Sequence, residues 1–102
     1  MASASHTDDI KAEIAGNKVM VYSKSYCPFC VQTKNLLNEK GIEFKVKELD
    51  QIADGQKIQD ALAQMTNQRT VPNIFINGEH LGGNSDLVKA NDDGSLATKV
   101  AA

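Results

Sequence analysis

The run Val19-Met20-Val21-Tyr22 ends in a short polar loop and is followed at once by Cys27-Pro28-Phe29-Cys30. No other stretch constrains the fold as tightly. A continuous apolar run of this length reads as a strand buried on both faces, which needs a layer above it and another below. Proline is favoured at the first helical position, because its fixed φ suits a helix and its missing N–H would have had no partner there. The strand therefore hands over to a helix at Pro28, and Cys27 falls at the N-cap. In that position its sulfur is expected to face the free N–H groups of Phe29 and Cys30. Those donors, the helix dipole and the charge of Lys24 favour thiolate over thiol. Cys30 stands about one turn further in, within reach of a disulfide formed on Cys27. These are the only two cysteines in the chain, and a Cys-x-x-Cys pair beside a β-α pattern reads as a thiol redox site.

Composition narrows the setting. A chain of 102 residues fits one domain, residues 1–102, with 1–6 as a loose tail of small residues. The formal charge of −2 gives no general attraction to nucleic acid or to an anionic membrane. No apolar stretch approaches the roughly 20 residues that span a bilayer. The opening Met1-Ala2-Ser3-Ala4-Ser5-His6 lacks the basic and apolar regions of a signal peptide, so the expected location is cytoplasmic. Thiols are kept reduced there, and a cysteine pair is more often catalytic or metal-binding than a structural staple.

Taken in order, the chain reads as helix, β-α-β, helix, β-β, helix, a three-layer α/β arrangement. Ile10 and Ile14 stand at i, i+4, predicting a short helix from Thr7 to about Ala15 with Thr7 as cap and Asp8 and Asp9 in its first turn. The second helix runs from Pro28 to about Glu39 and stops at Lys40-Gly41. Ile42, Phe44 and Val46 alternate with charged residues, predicting a strand nearer the sheet edge than the first. A strand, helix and strand in this order make a right-handed parallel unit. Asp54-Gly55 opens a third helix, with Ile58, Ala61, Leu62 and Met65 on one face. Asn73–Ile76 and Glu79–Leu81 flank Asn77-Gly78, a strong hairpin signal. A short helix near Leu87–Ala90 follows, and Ser95–Val100 forms a last turn or two.

With these elements in place, four motifs resemble the dithiol glutaredoxins of the thioredoxin-fold superfamily. They are Ser-Lys-Ser-Tyr-Cys-Pro-Phe-Cys at 23–30, Arg-Thr-Val-Pro at 69–72, Asn-Gly at 77–78 and Gly-Gly-Asn-Ser-Asp at 82–86. The resemblance covers nearly the whole chain. It implies a thioredoxin-like α/β fold, with a four-stranded mixed sheet of two parallel strands plus an antiparallel hairpin, flanked by helices. It also implies a glutathione-dependent thiol–disulfide oxidoreductase that reduces glutathione mixed disulfides and some protein disulfides. Cys27 would be the nucleophile and Cys30 the resolving thiol. Most dithiol members carry Tyr where this chain has Phe29, which keeps the ring of the site and loses a hydroxyl. Some relatives have a further cysteine where Asn84 stands here.

The same resemblance implies the substrate contacts. Lys24 and Gln59 would meet the glycine carboxylate of glutathione, and Gln59 lies on the flank of the third helix's apolar stripe. Thr70-Val71-Pro72 would present the Val71 backbone through a cis peptide before Pro72, pairing like a strand with the cysteine of glutathione. Arg69 would add positive potential or remain a surface cation. Gly83, Ser85 and Asp86 would hold the γ-glutamyl end, with free N–H groups at a helix start suiting its carboxylate. Ser85 or Asp86 equally fits a plain N-cap.

Tyr22 and Tyr26 read as packing residues, with Tyr26 bordering the site. His6 and His80 read as surface residues and not ligands. No tightly bound cofactor and no metal are expected: glutathione is the co-substrate, glutathionylated proteins and small disulfides are the partners, and the chain is a monomer. Two other classes remain to be separated. A thioredoxin-like reductase shares the fold but usually carries Trp-Cys-Gly-Pro-Cys. A metal module would need ligands that two cysteines and two distant histidines do not supply at finger-like spacing. Relatives that bridge an iron–sulfur cluster usually have a smaller residue in place of Pro28.

Overall fold

The computed structural model describes residues 4–102. Helix α1 (Ala4–Gly16) precedes strand β1 (Val19–Ser23), helix α2 (Pro28–Glu39) and strand β2 (Lys45–Glu48). A 3-10 turn at Leu49–Gln51 leads to α3 (Gly55–Thr66) and then to a hairpin of β3 (Asn73–Ile76) and β4 (Glu79–Gly82). Helices α4 (Asn84–Asp92) and α5 (Ser95–Ala101) follow. The strands lie in the order β2-β1-β3-β4. The β1–β2 pair is parallel, while β1–β3 and β3–β4 are antiparallel. This is the expected mixed sheet, with helices on both faces.

Strand β1 is central, and its alternate side chains enter two cores. Met20 and Tyr22 join Ile10 and Ile14 of α1, Ile58 and Leu62 of α3, and Phe75 of β3. Val19 and Val21 join Leu37 of α2, Leu87 of α4, Leu96 of α5, and Ile74 and Ile76 of β3. Full burial of each such side chain is worth on the order of 1.5–3 kcal/mol, so the sheet is held from both sides. That double burial is what the unbroken apolar run required.

Several element ends differ from expectation. Helix α1 begins at Ala4 rather than Thr7, so 4–6 is helical where a loose tail was expected, and residues 1–3 lie outside the described residues. Thr7 is inside the helix and not its cap. The added turn carries a tertiary contact: His6 Nε2 lies 3.2 Å from Asp54 Oδ2, just ahead of α3. Strand β2 pairs with β1 only from Lys45, opposite Met20, to Glu48, opposite Ser23. Upstream, the backbone still closes α2. Gly41 takes a φ of +67°, the Ile42 N–H donates to Leu37 O at 3.0 Å, and the Gly41 N–H donates to Asn38 O at 3.1 Å. Ile42 and Phe44 nevertheless pack on the second core. As expected, β2 is an edge strand. In the hairpin, Asn77 and Gly78 both have positive φ (51° and 82°), the geometry of a two-residue turn that matches strand twist.

Tyr22 links the first core to charge. Its hydroxyl donates to Glu13 Oε1 at 2.8 Å, and Lys47 Nζ lies 2.7 Å from Glu13 Oε2. Burial, and then the Glu13 carboxylate, push the phenol well above its ordinary pKa of 10.0. A raised acid is held neutral in the folded chain. Its contribution is therefore whole below the unfolded pKa near 10 and drains away as pH climbs above it toward the folded value. Tyr22→Phe is expected to cost about 1–2 kcal/mol at neutral pH, read from urea unfolding. The gap to the parent chain should narrow above pH 10; curves that stay parallel there would contradict the linkage.

Candidate active site

The parallel β1–β2 pair sets the geometry of the site. Both strands end at the same edge of the sheet, so the residues that follow them meet there. The register Ser23↔Glu48, carried two residues on, places Ser25 beside Asp50. Asp50 Oδ1 accepts the Ser25 N–H at 2.9 Å, and Oδ2 accepts the Ser25 hydroxyl. These two hydrogen bonds, with Lys24 adding a smaller pull, hold the Asp50 carboxyl below the usual range. Lys24 O in turn accepts the Cys27 N–H at 3.0 Å, and Cys27 O accepts the Val31 N–H at 3.1 Å. The loop from Lys24 to Cys27 is thus fastened at both ends before α2 begins. Asp50 was missed in the sequence; only the register of two strands far apart in the chain reveals it.

Cys27 is the N-cap of α2, with Pro28 in the first turn, as expected. Its backbone is extended there (φ −83°, ψ 118°). Its sulfur, however, does not bond the helix N–H groups. The thiol lies 3.8 Å from Val71 O. A thiol is a donor, and a carbonyl suits it better than the N–H groups of Phe29 and Cys30 do. Cys27 is half-buried and Cys30 fully buried, and both are free thiols. Burial, more than any other cause, pushes the Cys30 thiol up; charge on Cys27 acts in the same direction, while hydrogen bonds from the Lys24 N–H and the Ser23 hydroxyl oppose it. The outer sulfur is reachable and the inner one is shielded and held protonated.

Phe29 and Tyr26 flank Cys27 and stand open to solvent, 60% and 69% exposed. Tyr26 therefore does not pack as expected, since it lies in the loop between β1 and the N-cap of α2 and is open to solvent; Tyr22 does pack, fully buried. Val71–Pro72 is a cis peptide, as the resemblance implied. Gln59 is not simply an open flank residue: its side-chain amide donates to Arg69 O at 2.7 Å and supports the approach to Thr70. Arg69 is not without a partner either, because its guanidinium lies 3.7 Å from Asp60 Oδ1.

Gln68, also missed in the sequence, donates from Nε2 to Thr70 O at 3.1 Å and to Pro72 O at 3.0 Å. His80 Nε2 lies 3.1 Å from Gln68 Oε1.

The far end of the site is built by the start of α4. The cap is Gly83, not Ser85 or Asp86, which lengthens the helix to Asn84–Asp92. Asp86 Oδ2 accepts the Gly83 N–H at 2.9 Å, and Ser85 is exposed in the first turn. Gly82, with φ +130°, lies so close to that carboxylate that a Cβ there would stand 2.1 Å from Asp86 Oδ2. Gly83 brings its backbone near Pro72 O, 3.7 Å from where its own Cβ would be. Asn84 ties α4 to α2: its Oδ1 accepts the Thr33 hydroxyl at 2.9 Å and its Nδ2 donates to Gln32 Oε1 at 3.0 Å. Cys27, Thr70-Val71-Pro72 and Gly83-Asn84-Ser85-Asp86 therefore lie along one surface. Among the described residues, no three His, Cys, Asp or Glu side chains gather where they could hold a metal ion.

A reachable thiol over a shielded one, at the mouth of a helix and facing a cis-proline loop, defines a thioredoxin-fold thiol–disulfide site. Comparison with known proteins narrows the class. The glutaredoxin family model matches residues 19–81. Glutaredoxin-C6 of Oryza sativa subsp. japonica is 54% identical over 86 residues, covering 84% of this chain and 77% of its own. The crystal structure of wheat glutaredoxin superposes with a TM-score of 0.95 at 46% identity, covering 99% of this chain and 95% of that one. The buckwheat glutaredoxin–glutathione complex superposes with a TM-score of 0.93 at 38% identity, covering 95% and 88%. The chain belongs to the glutaredoxin family, and it is a glutathione-dependent disulfide oxidoreductase.

Proposed function

We propose that the chain reduces glutathione mixed disulfides by exchange at Cys27, with Cys30 as the resolving thiol for intramolecular protein disulfides. The observation that carries this is the placement of Cys27 Sγ 3.8 Å from Val71 O, with Cys30 buried behind it. The Cys27 thiolate attacks the glutathione sulfur of a glutathionylated protein or small disulfide. That S–S bond breaks, the partner leaves as its thiol, and Cys27 carries glutathione. A second glutathione thiolate attacks the glutathione sulfur on Cys27, regenerating the Cys27 thiolate and releasing glutathione disulfide. Against a protein disulfide, the Cys27 thiolate attacks one sulfur and frees the other as a thiol. Cys30 gives up its proton and attacks Cys27 Sγ of that mixed disulfide, releasing the second protein thiol. Two glutathiones then reduce the Cys27–Cys30 bond and leave as glutathione disulfide.

In this reading Lys24 and the second amide hydrogen of Gln59 attract the glycine carboxylate. The Val71 backbone pairs with the central cysteine, and Phe29 covers it from the α2 side. Thr70 and Pro72 hold Val71 in place, the N–H groups opening α4 beyond Gly83 and Ser85 take the γ-glutamyl carboxylate, and Asp86 takes its ammonium group. Asp86 can do so because capping the Gly83 N–H uses only one of its oxygens. The chemistry suits a reducing compartment such as the cytosol, where glutathione keeps thiols reduced.

A coupled assay tests the reading: a glutathionylated mixed disulfide is supplied with glutathione, glutathione reductase and NADPH. NADPH oxidation should require both the chain and glutathione, and thioredoxin reductase should not replace the donor. Turnover with thioredoxin reductase and none with glutathione would overturn it.

A further inference from the structure

The Gln68 side chain grips the loop that faces Cys27. Its Nε2 donates to Thr70 O and to Pro72 O, the carbonyls on either side of Val71. The carbonyl between them, Val71 O, points the other way, toward Cys27 Sγ. The amide orientation of Gln68 follows from chemistry: a flipped amide would set its oxygen against two carbonyl oxygens. With Nε2 engaged as donor, Oε1 is left to accept, so the proton between Gln68 and His80 belongs to His80 Nε2. Burial holds the His80 imidazole below its ordinary pKa, with Asp86 pulling weakly the other way. His80 is itself braced against the Phe75 ring, with centroids 5.2 Å apart. A chain of contacts thus runs from the first core, through β4, to the two carbonyls that bracket Val71.

We infer that Gln68, oriented by His80, is a positioning residue that fixes the Val71 peptide groups toward the glutathione side of the site. This rests on the reading that the Val71 backbone pairs with glutathione. Gln68 Nε2 also lies 4.0 Å from where a Cβ on Gly83 would stand, so the grip sits beside the start of α4. Two anchored carbonyls leave the peptide planes around Val71 little freedom to rotate, so the ordering cost is met before the ligand arrives. Nothing in the spacing of Gln68 and His80 along the chain announces the pair; they meet only because β3 and β4 fold back beside the loop.

The test measures glutathione binding by amide NMR on the Cys27→Ser chain, which cannot form the covalent adduct. In that parent, the Val71 amide should shift as glutathione is added. Adding Gln68→Ala should weaken the dissociation constant about tenfold, and Gln68→Glu at least as much, because a carboxylate faces two carbonyls. The melting temperature should move by only a few degrees with either Gln68 variant. A Val71 amide that does not respond in the parent would overturn the recognition reading and the inference together. A responsive Val71 amide with binding within twofold in Gln68→Ala would overturn the inference alone. Weakened binding together with a large fall in melting temperature would also overturn it, since that pattern marks general loosening of the fold.

Discussion

Cys27→Ser is expected to lower reduction of a glutathione mixed disulfide by about three orders of magnitude or more, because the hydroxyl that replaces the thiol is not ionised near neutral pH. Cys30→Ser should stay within about an order of magnitude of the parent on the same substrate, since glutathione itself resolves the adduct. The asymmetry follows from burial: Cys27 is half-exposed beside Val71, whereas Cys30 is fully enclosed. On an intramolecular protein disulfide the order changes, and Cys30→Ser should fail as well. Steady-state rates on the two substrate types give the comparison. An active Cys27→Ser and a dead Cys30→Ser on the mixed disulfide would reverse the assignment.

The second large effect concerns stability. Gly55 opens α3 in a buried position, and a Cβ there would stand 1.7 Å from Leu49 O, a backbone atom of the 3-10 turn. No side-chain rotation relieves that contact, so either the turn or the helix start must move. Gly55→Ala is expected to cost about 3 kcal/mol or more in chemical denaturation. Because the turn also carries Asp50, which fastens Ser25, activity should fall with stability. Gly16→Ala is the control: nothing lies within 4 Å of its Cβ, and its φ is not in the left-handed region. That change should be neutral or stabilising by up to about 1 kcal/mol. Equal effects at the two glycines would show that the Leu49 contact does not decide the cost.

Local signals carried much of this structure. The apolar run 19–22 located β1, Pro28 and Lys40-Gly41 located the two ends of α2, and Asn77-Gly78 located the hairpin turn. These depend on nearest neighbours along the chain: a buried strand, an N-terminal proline, a glycine stop. The misses depend on partners distant in sequence. Strand β2 begins only at Lys45, where its ladder with β1 starts, after the chain has closed α2 through Gly41 and Ile42. Helix α1 starts earlier than expected, in a turn whose His6 meets Asp54, and α4 is lengthened by a cap at Gly83 rather than at Ser85 or Asp86.

The site divides in the same way. Cys27, Cys30 and the Val71-Pro72 loop were legible as motifs. Their supports were not: Asp50 on Ser25, Gln59 on Arg69 O, and Gln68 on the carbonyls bracketing Val71. Each is an ordinary polar residue whose role arises from where the sheet register brings it. The direction of the Cys27 sulfur was also misjudged, because an N-cap position describes the backbone, while a thiol turns to the nearest acceptor.

The most direct test is mass spectrometry of the reduced Cys30→Ser chain after treatment with glutathione disulfide. A single glutathione should be found, attached to Cys27, and excess glutathione should remove it. A chain that takes up no glutathione, or takes it up elsewhere while Cys27 remains free, would contradict exchange at this sulfur.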